Sequence, residues 1–315
     1  MKNLFIKSLL LAPMLLNADV MPAINSKGGA LVLPEGKLKM GITHINFERN
    51  SMFEGTSEVQ NRENLDATAN ITTVALSYGL SNKTTISAII PYKNIEATAR
   101  LGVNDVAIDN KGLGDIVLAA RHVLISMSDA NYQLSFDAAV KLPTGATNGS
   151  FKTAPAVANG VNTPMPTQMG TGAFEYILGL GATKMISESL EVDAHAMYTY
   201  RPKAHNDYDF GDEIALNLST TKAITSKLNA GVEYNIKYNT KTYMGEDTNA
   251  QLRAMLPFKA FSGTAGYITP QVEFLPFGKP KIHIGAGVSF LAHYDLKEYQ
   301  PLETKRFILR FGYLF

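Results

Sequence analysis

Eight side chains have the chemistry to bind or move a solute: Asp137, Glu175, Asp193, His195, Arg201, Glu233, Arg306 and Arg310. Each stands in a run where polar and apolar residues alternate. Leu134, Phe136, Ala138 and Val140 interleave with Ser135, Asp137, Ala139 and Lys141. Val192, Ala194, Ala196 and Tyr198 interleave with Asp193, His195, Met197 and Thr199. Residues two apart on a strand share a face, so each run gathers its ionisable groups on one side. Those rows hold the acids Asp137, Glu175, Glu191, Asp193, Glu213, Glu233 and Glu273 against the bases Arg121, Lys141, Arg201, Lys237, Arg306 and Arg310. Near balance predicts ion pairs across an enclosed lumen rather than an ion-selective pore. The eight residues named first are the candidates for a constriction facing a solute.

The same residue types fit other chemistry poorly. Hydrolysis needs a Ser–His pair oriented by a carboxylate or amide. Among the six His, His283 and His293 fall on one row with Ser289, but in no nucleophile motif. A lipid hydrolase would also need that pair on the opposite, lipid-facing row. No catalytic residue is therefore assigned. Cysteine is absent, which removes disulfides and thiolate metal sites. Asp193 with His195 makes at best a loose pair, so neither metal nor cofactor is expected. A net charge of +1 gives no argument for nucleic acid.

These rows need strands to present them. Alternation predicts twelve, over 37–47, 71–80, 84–92, 113–126, 132–142, 170–186, 190–201, 210–223, 228–238, 264–274, 281–294 and 304–315. Many exceed the five or six residues usual in soluble sheets and match the roughly 9–11 that a tilted membrane strand needs. A dry sandwich core could not hold so many charges without large desolvation cost; a polar barrel interior can. Connections after the even strands are short (SNK, MSDAN, SES, TSK, PFGKP), and those after the odd strands are longer. That asymmetry predicts an all-β, transmembrane, up-and-down antiparallel barrel with short periplasmic turns and long extracellular loops. Residues 248–261 could form another strand, but thirteen would leave the C-terminus outside the cell, so they are placed in a loop. Fourteen strands, with a further one within 95–110, is the alternative.

The chain ends add an address. Lys2 and Lys7, the apolar run SLLLAPMLL and the small residue Ala18 read as an export signal over 1–18. Residues 19–36 follow as a periplasmic segment, and 37–315 as the barrel. Phe311, Tyr313 and the terminal Phe315 alternate like the assembly signal of bacterial outer-membrane barrels, implying the barrel-assembly machinery as a partner. Outer-membrane lipid, lipopolysaccharide and a small-molecule solute complete the expected partners. Twelve strands leave a narrow lumen that loops or the N-terminal segment could plug.

Three stretches carry a family likeness: GLGDIVLAARHVL (112–124), KLPTG (141–145) and QMGTGAFEYILGLGATK (168–184). In this order and spacing they resemble the outer-membrane family named for the MetA pathway of phenol degradation. The resemblance implies a barrel carrying small, often hydrophobic or aromatic compounds, without implying phenol itself. A structural or adhesive barrel without transport is the second reading, and an outer-membrane lipid hydrolase a remote third. The first and fifth outer loops match no motif of the family, which leaves the choice of solute open.

Overall fold

In lipid every backbone N–H and C=O must find a partner within the protein, so a sheet that crosses the bilayer has to close on itself. The computed structural model describes residues 29–154, 161–204, 207–243, 261–277 and 281–315. Sixteen strands are found among them. They are β1 (Leu38–Arg49), β2 (Ser51–Gly55), β3 (Ser57–Val59), β4 (Asp66–Ser81), β5 (Thr84–Leu101), β6 (Asn104–Leu113), β7 (Ile116–Ile125), β8 (Gln133–Leu142), β9 (Phe151–Thr153), β10 (Glu175–Ser187), β11 (Leu190–Tyr200), β12 (Glu213–Ala223), β13 (Leu228–Asn239), β14 (Gly263–Phe274), β15 (Ile282–Leu302) and β16 (Lys305–Leu314). Twelve form the wall in the order β14-β13-β12-β11-β10-β8-β7-β5-β4-β1-β16-β15, and a β14–β15 pairing closes the ring. All pairings are antiparallel, and the first wall strand lies against the last, Met40 opposite Tyr313.

The outward rows are large and apolar. Leu76, Leu118, Phe136, Leu178, Leu216 and Phe307 each leave about 40–60% of their surface exposed. In water such a band would drive aggregation; in a bilayer it is the solvent contact. The inward rows are polar and almost wholly buried, among them Thr43, Asp137, Asp193, Glu233 and Arg306. Phe311, Tyr313 and Phe315 lie at the periplasmic end of β16, where the Tyr313 and Phe315 rings meet edge-on with their centroids 4.6 Å apart.

Residues 95–110 do form strands, but not additional wall columns. β5 runs on past the wall to Leu101 and returns as β6, pairing through Tyr92 to Leu101. β7 takes the same side of β5 lower down, from Thr84 to Ile89. β6 therefore continues the column of β7 outward, and the count stays at twelve. The sequence reading ended the third strand at residue 92 because the alternation loses its apolar row there; once above lipid, the outward row has no need of one. Residues 248–260 lie outside the described residues. β13 and β14 are hydrogen-bonded directly to each other, Asn239 opposite Gly263, which leaves no wall position for a strand between them.

The export-signal reading of residues 1–18 also lies outside the described residues. From Gly29 onward the chain is placed inside the barrel, in the periplasmic mouth, rather than hanging below it. Ala30, Leu31, Val32 and Leu33 are buried. The Gly29 N–H donates to Asp193 Oδ1 (2.9 Å), the Ala30 N–H to Thr183 Oγ1 (3.0 Å) and the Leu33 N–H to Thr85 Oγ1 (2.8 Å). Gln133 Nε2 donates to the Ala30 carbonyl at 2.8 Å. This strap crosses the inner wall from β11 to β4, its own backbone groups satisfied by inward side chains. Two glycines make the crossing possible. A Cβ on Gly181 would stand 1.9 Å from the Gly29 carbonyl oxygen, and one on Gly79 2.0 Å from that of Pro34. Each of these glycines thus admits a second backbone against the wall.

Candidate functional site

All eight candidate residues occupy inward rows and are buried. Strand alternation decides that much; the register decides which of them meet. Arg121 on β7 faces Asp137 on β8, donating Nε to Oδ1 at 2.8 Å and Nη2 to Oδ2 at 3.0 Å. Asp137 Oδ2 also lies 2.6 Å from His195 Nε2 on β11, and Arg121 Nη1 reaches the Leu31 carbonyl of the strap at 3.3 Å. Asp193 takes a separate role: it accepts from Thr183 Oγ1 (2.6 Å) and from the strap. Asp193 and His195 share a face yet serve different partners, so they do not converge on one point.

A second layer lies toward the outside. Lys141 on β8 pairs with Glu175 on β10 and stands 3.6 Å from Asp115. Arg201, just beyond β11, lies 3.6 Å from Glu175 and 3.0 Å from Glu213 on β12. Lys237 on β13 stands 3.8 Å from Glu213. These pairs run along the wall between near-neighbour strands, not across the lumen as the sequence reading had it. Adjacent strands are about 4.8 Å apart, so a side chain meets its wall neighbour before it can span the interior.

Arg306 belongs to a third group at the outer rim. Its guanidinium lies 3.6 Å from the centre of the Tyr267 ring and its Nε donates to Glu303 Oε1 at 2.9 Å. Glu303 also accepts from Arg49 Nε at 2.8 Å. Burial alone would raise the Glu303 pKa, but Arg49 and Arg306 override it and hold the carboxyl well below the usual carboxylate range. Glu233 on β13 and Arg310 on β16 sit apart from these groups, nearer the periplasmic end.

Asp115, Arg49, Glu303 and Tyr267 were not among the candidates. Asp115, Arg49 and Glu303 lie at or beyond strand ends, where alternation gives no facing. Tyr267 shares the inward row of β14 with Thr269 and Glu273, and a register shift lies opposite it, between Leu291 and His293 of β15. The same shift takes His293 off the inward row, leaving it exposed. Ser289 instead shares a 2.8 Å hydrogen bond with Thr269, so the Ser289–His293 pair does not form. No group of three or more potential metal ligands converges among the described residues.

Between the ionic layers the inner wall is apolar. Ala75, Ile89, Val117, Ala119, Ile177, Met197 and Ala215 form one buried cluster. On β8 the partly buried Ala139 packs against it, between Lys141 and Asp137; on β12 Ala215 lies between Glu213 and Asn217. Ile45, Ile71, Ile308 and their neighbours extend the belt around β1, β4 and β16. A solute crossing the barrel would pass a polar layer, a greasy one and a polar one.

A closed twelve-stranded wall with a lipid-facing apolar band and a charged, strapped lumen defines an outer-membrane β-barrel. The chain belongs to the family described as "Putative MetA-pathway of phenol degradation", whose model matches residues 48–290. Among solved structures it is similar to the COG4313 outer membrane channel from Pseudomonas putida F1, at 15% identity and a TM-score of 0.66, covering 94% of this chain and 100% of that one. The P. putida toluene transporter TodX (9% identity, TM-score 0.47, 90% and 91% covered) is a looser match. So is a Pseudomonas aeruginosa FadL homologue (10%, 0.47, 92% and 93%). Neither is close enough to argue from. No curated protein sequence matches the chain.

Proposed function

We propose that this barrel is a passive channel for small apolar or aromatic solutes across the bacterial outer membrane. The observation that carries the reading is the apolar belt on the inner wall. A channel for sugars or ions has no use for Ile45, Ile71, Ile89, Ile177 and Ile308 turned inward; an apolar solute leaves water for such a surface at a gain of about 25 cal/mol per Å² buried. The ion-paired layers above and below fix the wall and admit no net charge of their own. Catalysis has no part in this reading.

The test is uptake into proteoliposomes by the purified protein. Toluene-sized aromatics should enter faster than sugars of similar size, at rates that scale with the amount of protein. Equal rates for both, or none for either, would move the reading to a structural or adhesive barrel.

The same reading assigns residues 1–18 to export and Phe311, Tyr313 and Phe315 to recognition by the assembly machinery, with lipid and lipopolysaccharide around the finished barrel. Deleting Phe315 should lower the amount of assembled, heat-modifiable protein in a pulse-chase; unchanged amounts would remove that role.

A further inference from the structure

Arg310 differs from the other lumen cations described above. It is 6% exposed and inward on β16, yet its Nε and Nη2 have no hydrogen-bond partner among the described residues. Leaving two of a buried guanidinium's nitrogens without acceptors is costly and calls for an explanation. Its surroundings hold more donors. Thr43 on β1 lies opposite Arg310, and Thr73 on β4 opposite Thr43. The Thr73 hydroxyl is also buried without a partner among the described residues.

Little side-chain bulk stands beside this row. Gly285 on β15 lies opposite Arg310, and a Cβ built there would meet nothing closer than 3.6 Å. At Gly41 on β1 the nearest atom would be 4.0 Å away. These two glycines leave room, where Gly79 and Gly181 are filled by the strap. One step outward along the same faces lie Ile308 and Ile45, which are register partners, with Ile71 next to Ile45. A guanidinium and two hydroxyls thus sit at the foot of the apolar belt.

We infer that the Arg310–Thr43–Thr73 row is a binding subsite for the carboxylate of an apolar acid, an alkyl or aryl carboxylate whose body lies along Ile45, Ile71 and Ile308. This rests on the channel reading above and narrows its solute class. The planar fork of an arginine matches a carboxylate with two parallel hydrogen bonds. A dianion is disfavoured, because Glu233 and Glu273 are the acids whose charge reaches Arg310. Glu273 is the register partner of Gly285, one strand beyond Arg310. Their repulsion keeps even a monoanion from binding tightly, which suits a conduit: a site must attract its solute and also release it.

The experiment compares benzoate with benzyl alcohol, which share a ring and differ in charge. Binding to the full-length, detergent-purified protein is followed by calorimetry at neutral pH, and uptake by proteoliposomes is measured in parallel. The wild type should bind benzoate saturably and benzyl alcohol about tenfold more weakly or worse, the worth of one charge-assisted hydrogen bond. Arg310→Gln should weaken benzoate by at least that factor and leave benzyl alcohol unchanged. Gly285→Val, which fills the space without altering a charge, should weaken both. Heat-modifiable migration on gels shows that each variant is folded.

Equal binding of the two solutes by the wild type would overturn the subsite, and so would benzoate binding that survives Arg310→Gln; the row would then hold water only. Uptake of benzyl alcohol with no preference for benzoate would sink the subsite and spare the channel. Saturable, Arg310-dependent binding without uptake of either solute would sink the channel and spare the subsite.

Discussion

The ionic layers on β7 to β12 and the Arg310 row on β15, β16 and β1 carry their buried charges in opposite ways. On the first, Arg121, Asp137 and His195 lock together, and Lys141, Glu175, Arg201 and Glu213 form a continuous chain. On the second, Arg310 Nε and Nη2 have no hydrogen-bond partner among the described residues, and glycines flank it. The glycines divide the same way. Gly181, on the paired side, is pressed by the strap, while a Cβ at Gly285 would make only ordinary contacts. A charge held by neighbours stabilises geometry; a charge without them is available to a visitor.

Glu175→Ala should break this contrast most severely. It removes the anion shared by Lys141 and Arg201 and leaves Lys141 to Asp115 and Arg201 to Glu213, at a cost of about 3 kcal/mol. A urea midpoint matching wild type would show that the paired wall does not depend on its pairs. Gly181→Ala forces a methyl against the Gly29 carbonyl, an overpacking cost of about 1–3 kcal/mol met by the strap rather than the wall. Its expected signs are faster proteolysis near Gly29 and larger conductance in planar bilayers, with the barrel still heat-modifiable; a strap as protected as in wild type would count against its placement.

The other wall should tolerate change. Arg310→Gln removes a buried charge that no hydrogen bond compensates, so its urea midpoint should lie within about 1 kcal/mol of wild type, in either direction. A loss as large as that for Glu175→Ala would mean that Arg310 is structural after all. Gly285→Ala should be smallest, within about 0.5 kcal/mol, because its methyl meets only ordinary contacts. A loss equal to that of Gly181→Ala would erase the distinction between the two glycines.

Facing was legible in the sequence because a period of two is a local property. Asp137 sits between Phe136 and Ala138, and no tertiary arrangement that keeps the strand can turn it to the side of Phe136. Partnership was not legible. Asp137 meets Arg121 and His195 because of the registers of β7, β8, β10 and β11, which depend on how the ring closes. The sequence reading therefore placed ion pairs across the lumen, and the fold sets them along the wall. Where alternation gives no facing, as at the strand ends holding Asp115 and Glu303, the functional neighbours went unseen.

Composition and alternation by themselves determined a twelve-stranded barrel, its lipid-facing rows, its charged interior and its short-turn end, because each follows from neighbours one or two residues apart. Only the closed structure decided that residues 29–33 follow the inner wall, that β6 extends the column of β7 outward, and that Arg310 Nε and Nη2 are left without a hydrogen-bond partner among the described residues. Those outcomes join residues up to 164 positions apart, as Gly29 is joined to Asp193, and a contact of that span is fixed by barrel closure and register rather than by any local pattern.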